Sequence, residues 1–150
     1  MNEAMFSSNN MNWCTPQAFF DLLDKEFHFV LDAAATEKSA KCKKYYTPEQ
    51  DGLKQTWNVG GATFCNPPYG KNISAWVKKA YEEAQRGATV VLLIPSRTDT
   101  AYFHDYIYGR AEIRFVRGRL KFTDENGAEK HSAPFPSLIA IYNKREDNKG

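Results

Sequence analysis

The nine residues from Ala62 to Gly70, A-T-F-C-N-P-P-Y-G, decide how the rest of the chain is read. Gly60 and Gly61 break the chain ahead of them, and Ala62 to Asn66 then reads as a short buried strand. Pro67 and Pro68 end that strand, because neither can donate to a ladder. A strand stopped so abruptly presents its last residues in a stiff loop. Downstream, Ile73, Trp76, Val77, Ala80, Tyr81 and Ala84 recur at helical spacing, with Asn72 placed to cap the helix and Gly87 to stop it. Val90 to Ile94 follows as an unbroken apolar run, the pattern of a strand covered on both faces. Strand, helix and strand in this order predict an open α/β sheet.

The pattern extends in both directions. Thr15 and Pro16 read as a side-chain cap followed by a proline in the first turn, opening a helix that runs to about Glu26 with Phe19, Phe20, Leu22 and Leu23 on its core face. His28 to Ala35 reads as a strand that turns after Asp32 into the polar, helix-tolerant stretch Thr36 to Lys43. Thr98 to Tyr108 reads as a helix closed by Gly109, and Ala111 to Val116 and Ser137 to Asn143 as later strands. There is no internal repeat, and the polar ends, 1–12 and 143–150, read as frayed, flexible termini of one domain spanning 1–150.

Composition narrows the function classes. With 150 residues, 42% hydrophobic and 14% aromatic, the chain can bury one sizeable core. A formal net charge of +2 means that any affinity for nucleic acid has to come from a local cluster. No apolar run approaches the ~20 residues of a bilayer crossing, and the polar start lacks the apolar core of a secretion signal, so a cytoplasmic protein is expected. Cys14, Cys42 and Cys65 are odd in number and form no C-x-x-C pair, which argues for reduced thiols over a disulfide framework or a zinc site. His28, His104 and His131 have no metal-ligand spacing, and no metal is expected.

The chemistry is carried by Asn66, Pro67, Pro68 and Tyr69. In an open α/β sheet the ligand crevice lies outside the carboxyl ends of the strands, where this loop sits. The Asn66 side-chain oxygen and the Pro67 carbonyl can both accept hydrogen bonds from one amino group, while Tyr69 offers a flat face to a planar substrate. Such a clamp suits an exocyclic amine. The lone pair of that amine is delocalised into its ring, and two acceptors in tetrahedral directions favour the pyramidal form that frees the pair for attack on a sulfonium methyl. Asn66 is an amide and cannot be a general base, so its role is geometric and electrostatic. The competing reading is a Pro-Pro turn with a tyrosine packed on it.

Beyond this corner the chain resembles the small phage-encoded DNA adenine N6-methyltransferases of the Dam type, within the Rossmann-like S-adenosylmethionine-dependent enzymes. The likeness runs from Trp13 to about Tyr142. It rests on W-C-T-P (Trp13 to Pro16), L-D-A-A-A (Leu31 to Ala35), D-G-L (Asp51 to Leu53) with Trp57, N-P-P-Y-G (Asn66 to Gly70), L-I-P-S-R-T-D-T (Leu93 to Thr100), G-R-L-K-F (Gly118 to Phe122) and A-P-F-P-S (Ala133 to Ser137). N-P-P-Y alone is shared with protein-glutamine and RNA methyltransferases; the ordered set makes the match specific.

The resemblance implies a compact, mostly parallel α/β sheet with helices on both faces, and S-adenosylmethionine as cofactor. Trp13 is placed against that cofactor, and Thr15 and Pro16 present a helix N-terminus to its carboxylate. Asp32 faces its ammonium, Asp51 its adenine amine, and Glu37 its ribose hydroxyls. Ala33, with Ala34 and Ala35, stands where larger members carry a glycine-rich turn, so the close backbone approach that glycine allows there is not expected. Only about thirty residues separate Asp32 from Asn66, so a sheet strand is expected to be lost or shortened. Read without the resemblance, Thr15 is a cap and the acids are solvated turn residues.

The resemblance also implies DNA as partner, in the cytoplasm of a bacterial host carrying a phage or prophage, with the target base flipped out of the duplex. Arg110, Arg114, Arg117, Arg119 and Lys121 face one acid, Glu112, within a short stretch that also holds Phe115 and Phe122. Arg119, Lys121, Phe122, Phe135 and Arg97 are the candidate DNA contacts; the alternative is a solvated sheet face on which Arg114 alternates outward. Target specificity is expected to be short or loose, or to need a second subunit such as a homodimer partner. The competing functions are methylation of cytosine N4, RNA adenine or protein glutamine, and a non-catalytic nucleic-acid binder. Cytosine C5 chemistry is disfavoured because Cys65 precedes the clamp and forms no Pro-Cys turn.

Overall fold

The computed structural model describes residues 13–130 and 132–143. Of the ends read above as termini, 1–12 and 143–150, only Asn143 is described; the rest of both, and His131, lie outside the described residues. Two helices, α1 (Gln17–Phe27) and α2 (Ile73–Gln85), accompany the strands β1 (Phe29–Asp32), β2 (Lys44–Tyr45), β3 (Ala62–Cys65), β4 (Thr89–Pro95), β5 (Glu112–Phe115) and β6 (Ser137–Tyr142). The strands form one sheet in the order β2-β1-β3-β4-β6-β5. Pairing is parallel from β2 through β4, and β6 runs antiparallel to both β4 and β5. Five of the six strands therefore share one direction, and the sheet is mostly parallel.

Side-chain alternation along β3 distributes the helices. On one face Phe64 meets Phe20 of α1, with ring centroids 5.1 Å apart. On the other, the Thr63 hydroxyl donates to the Trp57 carbonyl at 2.8 Å, beside Glu83 of α2, which accepts from the Trp57 amide at 2.7 Å. One helix thus covers each face. This explains why β3 and β6 are buried at every position and β4 at all but its first, and why β4 needs no polar alternation.

The expected loss falls on the first crossover. β2 is only two residues long, and the stretch from Thr36 to Lys43 forms turns instead of a helix. Thr36 and Ser39 explain this, because each side chain bonds the other residue's backbone amide, at 2.9 and 3.1 Å, in competition with helical pairing. Two other expectations shift. Thr15 does not cap α1, whose N-cap is Pro16 with no side-chain cap bond. The helix expected over Thr98 to Tyr108 is mostly a widened turn, Phe103–Ile107, in which the Tyr108 amide donates five residues back to Phe103. Gly87 does close α2, at a φ of 110°. No described helix is long and apolar enough to cross a membrane.

Register places the chemistry. Asp32, the last residue of β1, lies opposite Phe64, and Asn66 emerges just past Cys65 at the same carboxyl edge. Two polar residues far apart in sequence are thereby brought to one crevice.

Candidate active site

Asn66 is held by its amide nitrogen. Nδ2 donates to the Trp13 carbonyl at 2.6 Å and to the Thr15 hydroxyl at 3.1 Å. A carbonyl can only accept, so the NH2 must face it, and the opposite atom, Oδ1, is left buried with no partner among the described residues. An unsatisfied buried acceptor costs about 1–3 kcal/mol, so a ligand that donates to it regains that energy. No donor reaches the Pro67 carbonyl among the described residues, which leaves it available as a second acceptor.

Beside this corner lies a cavity of about 520 Å³. Its polar wall includes Thr15, Asp32, Thr36, Ser39 and Lys41, and its apolar wall Tyr46, Pro48, Leu53 and Trp76; Trp13, Asp51, Asn66 and Pro68 also line it. Asp32 is 3% exposed and accepts only backbone bonds, from Lys41 at 3.0 Å and Ala34 at 3.4 Å. Burial pushes its carboxyl up to about 7, against the opposing pull of those amides and the Lys41 charge. A buried acid with no salt bridge among the described residues, facing a cavity, fits a cationic ligand.

Asp51 adopts a left-handed φ of 56°, an uncommon state for a residue with a side chain, and its Oδ1 accepts from the Leu53 amide at 3.1 Å. The next residue has no room for a side chain, since a Cβ on Gly52 would lie 2.3 Å from the Ala33 carbonyl oxygen and 3.0 Å from the Trp76 ring. Gly52→Ala is therefore expected to destabilise the fold by about 1–3 kcal/mol and to push Trp76 into the cavity. Denaturant titration checks this; an unchanged midpoint would mean that the two walls are not in rigid contact.

Of the residues expected at the cofactor, Trp13, Thr15, Asp32 and Asp51 meet at the cavity, whereas Pro16, Ala33 and Glu37 do not. Pro16 is committed to opening α1. Ala33 donates its amide to Phe64 and packs against Gly52. Glu37 is exposed, because the Thr36–Ser39 turn carries it outward. Sequence reasoning missed Tyr46, Leu53, Trp76, Thr36, Ser39 and Lys41. Trp76 was hidden by its place in an apolar helical stripe, and only the D-G-L tripeptide pointed toward Leu53.

Tyr69 does not present an open face. Its ring is 1% exposed, its hydroxyl donates to the Leu93 carbonyl at 3.0 Å, and Phe122 and Phe135 pack edge-on against it. Trp13 packs edge-on against the same two phenylalanines at 5.7 and 5.6 Å. The candidate base-contacting aromatics are thus brought together, closed upon one another.

The basic cluster is smaller than its sequence suggests. Arg114 is bound to both carboxylate oxygens of Glu26 at 2.7 and 2.8 Å and to Glu112 at 2.7 Å, and Arg110 lies over the Tyr81 ring and donates to the Asp105 carbonyl. Arg117, Arg119 and Lys121 remain exposed along the segment that leads from β5 to Phe122, Arg119 reaching the Ala133 carbonyl at 3.3 Å. Arg97 is exposed just beyond β4. Among the described residues no group of His, Cys, Asp or Glu is placed to hold a metal ion.

Comparison with known proteins adds a separate line of observation. A family model described as DNA N-6-adenine-methyltransferase (Dam) matches residues 4–149. The DNA N-6-adenine-methyltransferase of Escherichia phage T1 is 32% identical over 109 residues, which cover 72% of this chain and 45% of the phage protein. The DNA N-6-adenine-methyltransferase of Haemophilus phage HP1 is 28% identical over 134 residues, 87% of this chain and 77% of that protein.

Proposed function

The chain belongs to the DNA N-6-adenine-methyltransferase (Dam) family, and from that premise we propose that it methylates the exocyclic N6 amine of adenine in DNA, in the cytoplasm of a bacterial host, with S-adenosylmethionine as donor. The carrying observation is the buried Asn66 Oδ1 without a partner, beside a cavity that contains an uncompensated acid. The cavity fits the donor. Asp32 faces a cationic group such as an ammonium, Thr36, Ser39 and Asp51 offer polar contacts to hydroxyls and an amine, and Trp76, Leu53 and Pro48 cover an aromatic base. When bound, the donor supplies an electrophilic methyl on a sulfonium.

The chain's own residues do the rest. Asn66 Oδ1 accepts one amine hydrogen and the Pro67 carbonyl the other, which holds the amine pyramidal with its lone pair directed at the methyl. Because no side chain at this corner is a base, the extra proton leaves to water after transfer. The closed rings of Phe122 and Phe135 must part before Tyr69 can stack on a base. Arg117, Arg119 and Lys121, adjoining Phe122, are suited to hold phosphates while this happens.

The test supplies labelled S-adenosylmethionine with duplex DNA, single-stranded DNA, RNA or a release-factor-like protein in turn, followed by nucleoside chromatography. N6-methyladenine from DNA is the expected product. Label in cytosine, in RNA or in protein, or in nothing at all, would overturn the assignment.

A further inference from the structure

We propose that Thr15 is a positioning residue for Asn66, its hydroxyl fixing the plane of the amide so that Oδ1 meets the target amine; this rests on the reading of Asn66 as the amine acceptor. The two hydrogens on Asn66 Nδ2 have one acceptor each, the Trp13 carbonyl and the Thr15 hydroxyl. These acceptors do different work. Turning the amide over would set Oδ1 against the Trp13 oxygen at 2.6 Å, two acceptors in contact, so the carbonyl decides which end points outward. An amide held by one bond still swings about it, and the second bond, to Thr15, stops the swing.

Among the described residues the Thr15 side chain makes no other hydrogen bond. It is 3% exposed, and it does not cap α1, whose N-cap is Pro16 without a side-chain bond. The short segment that carries both acceptors is itself fastened. The Cys14 amide donates to the Thr123 carbonyl at 3.0 Å, and the Thr123 amide returns a bond to Cys14 at 2.9 Å. Thr123 directly follows Phe122, whose ring packs on Trp13. The alternative role for Thr15 is direct contact with the cofactor, since it lines the cavity.

Thr15→Val and Thr15→Ser in the full chain separate the two roles. Resonances of the Asn66 side-chain amide, cofactor affinity by calorimetry, and kcat and KM for DNA are measured on each. In Thr15→Val one amide proton is expected to move upfield and exchange faster, with kcat reduced about 10- to 100-fold. The cofactor Kd and the KM for DNA change less than about threefold, and Thr15→Ser restores kcat and the resonance together. If Thr15→Val does not fold, Thr15→Ala is read in the same way. Loss of cofactor affinity in step with the loss of rate, or an unmoved Asn66 amide, overturns the proposal. A native protein that methylates no DNA defeats the functional reading instead, and the amide resonances still decide the role of Thr15.

Discussion

Asn66→Ala is expected to lower kcat by about 10³-fold or more while leaving the cofactor Kd within a few-fold of its native value. In the proposed function the side chain removed meets the reacting amine, and among the described residues its oxygen has no partner to lose. Nδ2 takes its bonds to the Trp13 carbonyl and the Thr15 hydroxyl with it, so stability should fall by about 1–3 kcal/mol, which denaturant titration reads separately from the rate. Asn66→Asp sharpens the test, because an ionised carboxylate would face the Trp13 oxygen, now 2.6 Å from Nδ2, with nothing to donate. Repulsion and burial both raise the pKa of such a group, and the protonated acid recovers a donor toward Trp13 and an acceptor toward the amine. Its rate relative to the native protein at the same pH should rise as pH falls, whereas Asn66→Ala stays flat. Asn66→Ala, which keeps Asp32 and lacks the new carboxyl, supplies the baseline for the Asp32 titration. Native-like rates for Asn66→Ala would remove this corner from the chemistry.

The strands that frame the site were legible for a simple reason. Ala62 to Cys65, Thr89 to Pro95 and Ser137 to Tyr142 are buried on both faces, and such strands announce themselves as short apolar runs with a proline or glycine at one end. The corner after β3 followed directly, since Pro67 and Pro68 leave a strand no way to continue. What stayed hidden depends on partners distant in sequence. β2 is two residues with no apolar pattern, and it exists because β1 offers an edge at Leu31 and Asp32. Arg114 looks like part of a basic surface until α1 brings Glu26 to it.

The same distinction runs through the site. Asp32 and Asp51 were placed at the cofactor by the resemblance alone, through L-D-A-A-A and D-G-L; read from their own neighbourhoods both are solvated turn residues. Thr15 was assigned a capping role because Thr-Pro ahead of an apolar segment commonly caps a helix. Tertiary contact reassigns it: Asn66, fifty-one residues away, takes the hydroxyl. Tyr69 was expected to lie open to a base, and its burial arises from Leu93, Phe122 and Phe135, three contacts that no local pattern contains.

Asp32→Asn is expected to weaken cofactor binding about 100-fold or more above pH 7 and at the same time to flatten the pH dependence of stability. The native carboxyl, pushed up to about 7 from an ordinary value of 3.8, keeps a proton over a range in which the unfolded chain has already released it. The stabilisation carried by the protonated form is therefore complete below the unfolded value and is lost as pH rises through the native one. Without cofactor, native stability should decline from about pH 4 to about pH 7, this group contributing at most on the order of 4 kcal/mol. An asparagine has no such proton to lose, so that part of the slope disappears in the variant, even though its NH2 sits less well than an oxygen against the Lys41 or Ala34 amide. A cationic group brought beside the native carboxylate reverses the effect of burial and expels the proton. Cofactor affinity should then rise with pH up to about 7 and level off above it, with proton release detectable as a dependence of binding heat on the buffer used. For the variant, a Kd that does not vary with pH and lies about 100-fold or more above the native value at pH 8 is expected, because the attraction to the ammonium is gone, and the difference narrows as the native carboxyl takes up its proton. Equal cofactor affinity of native protein and variant at pH 8 would show that Asp32 faces no charge, and would leave its burial unexplained.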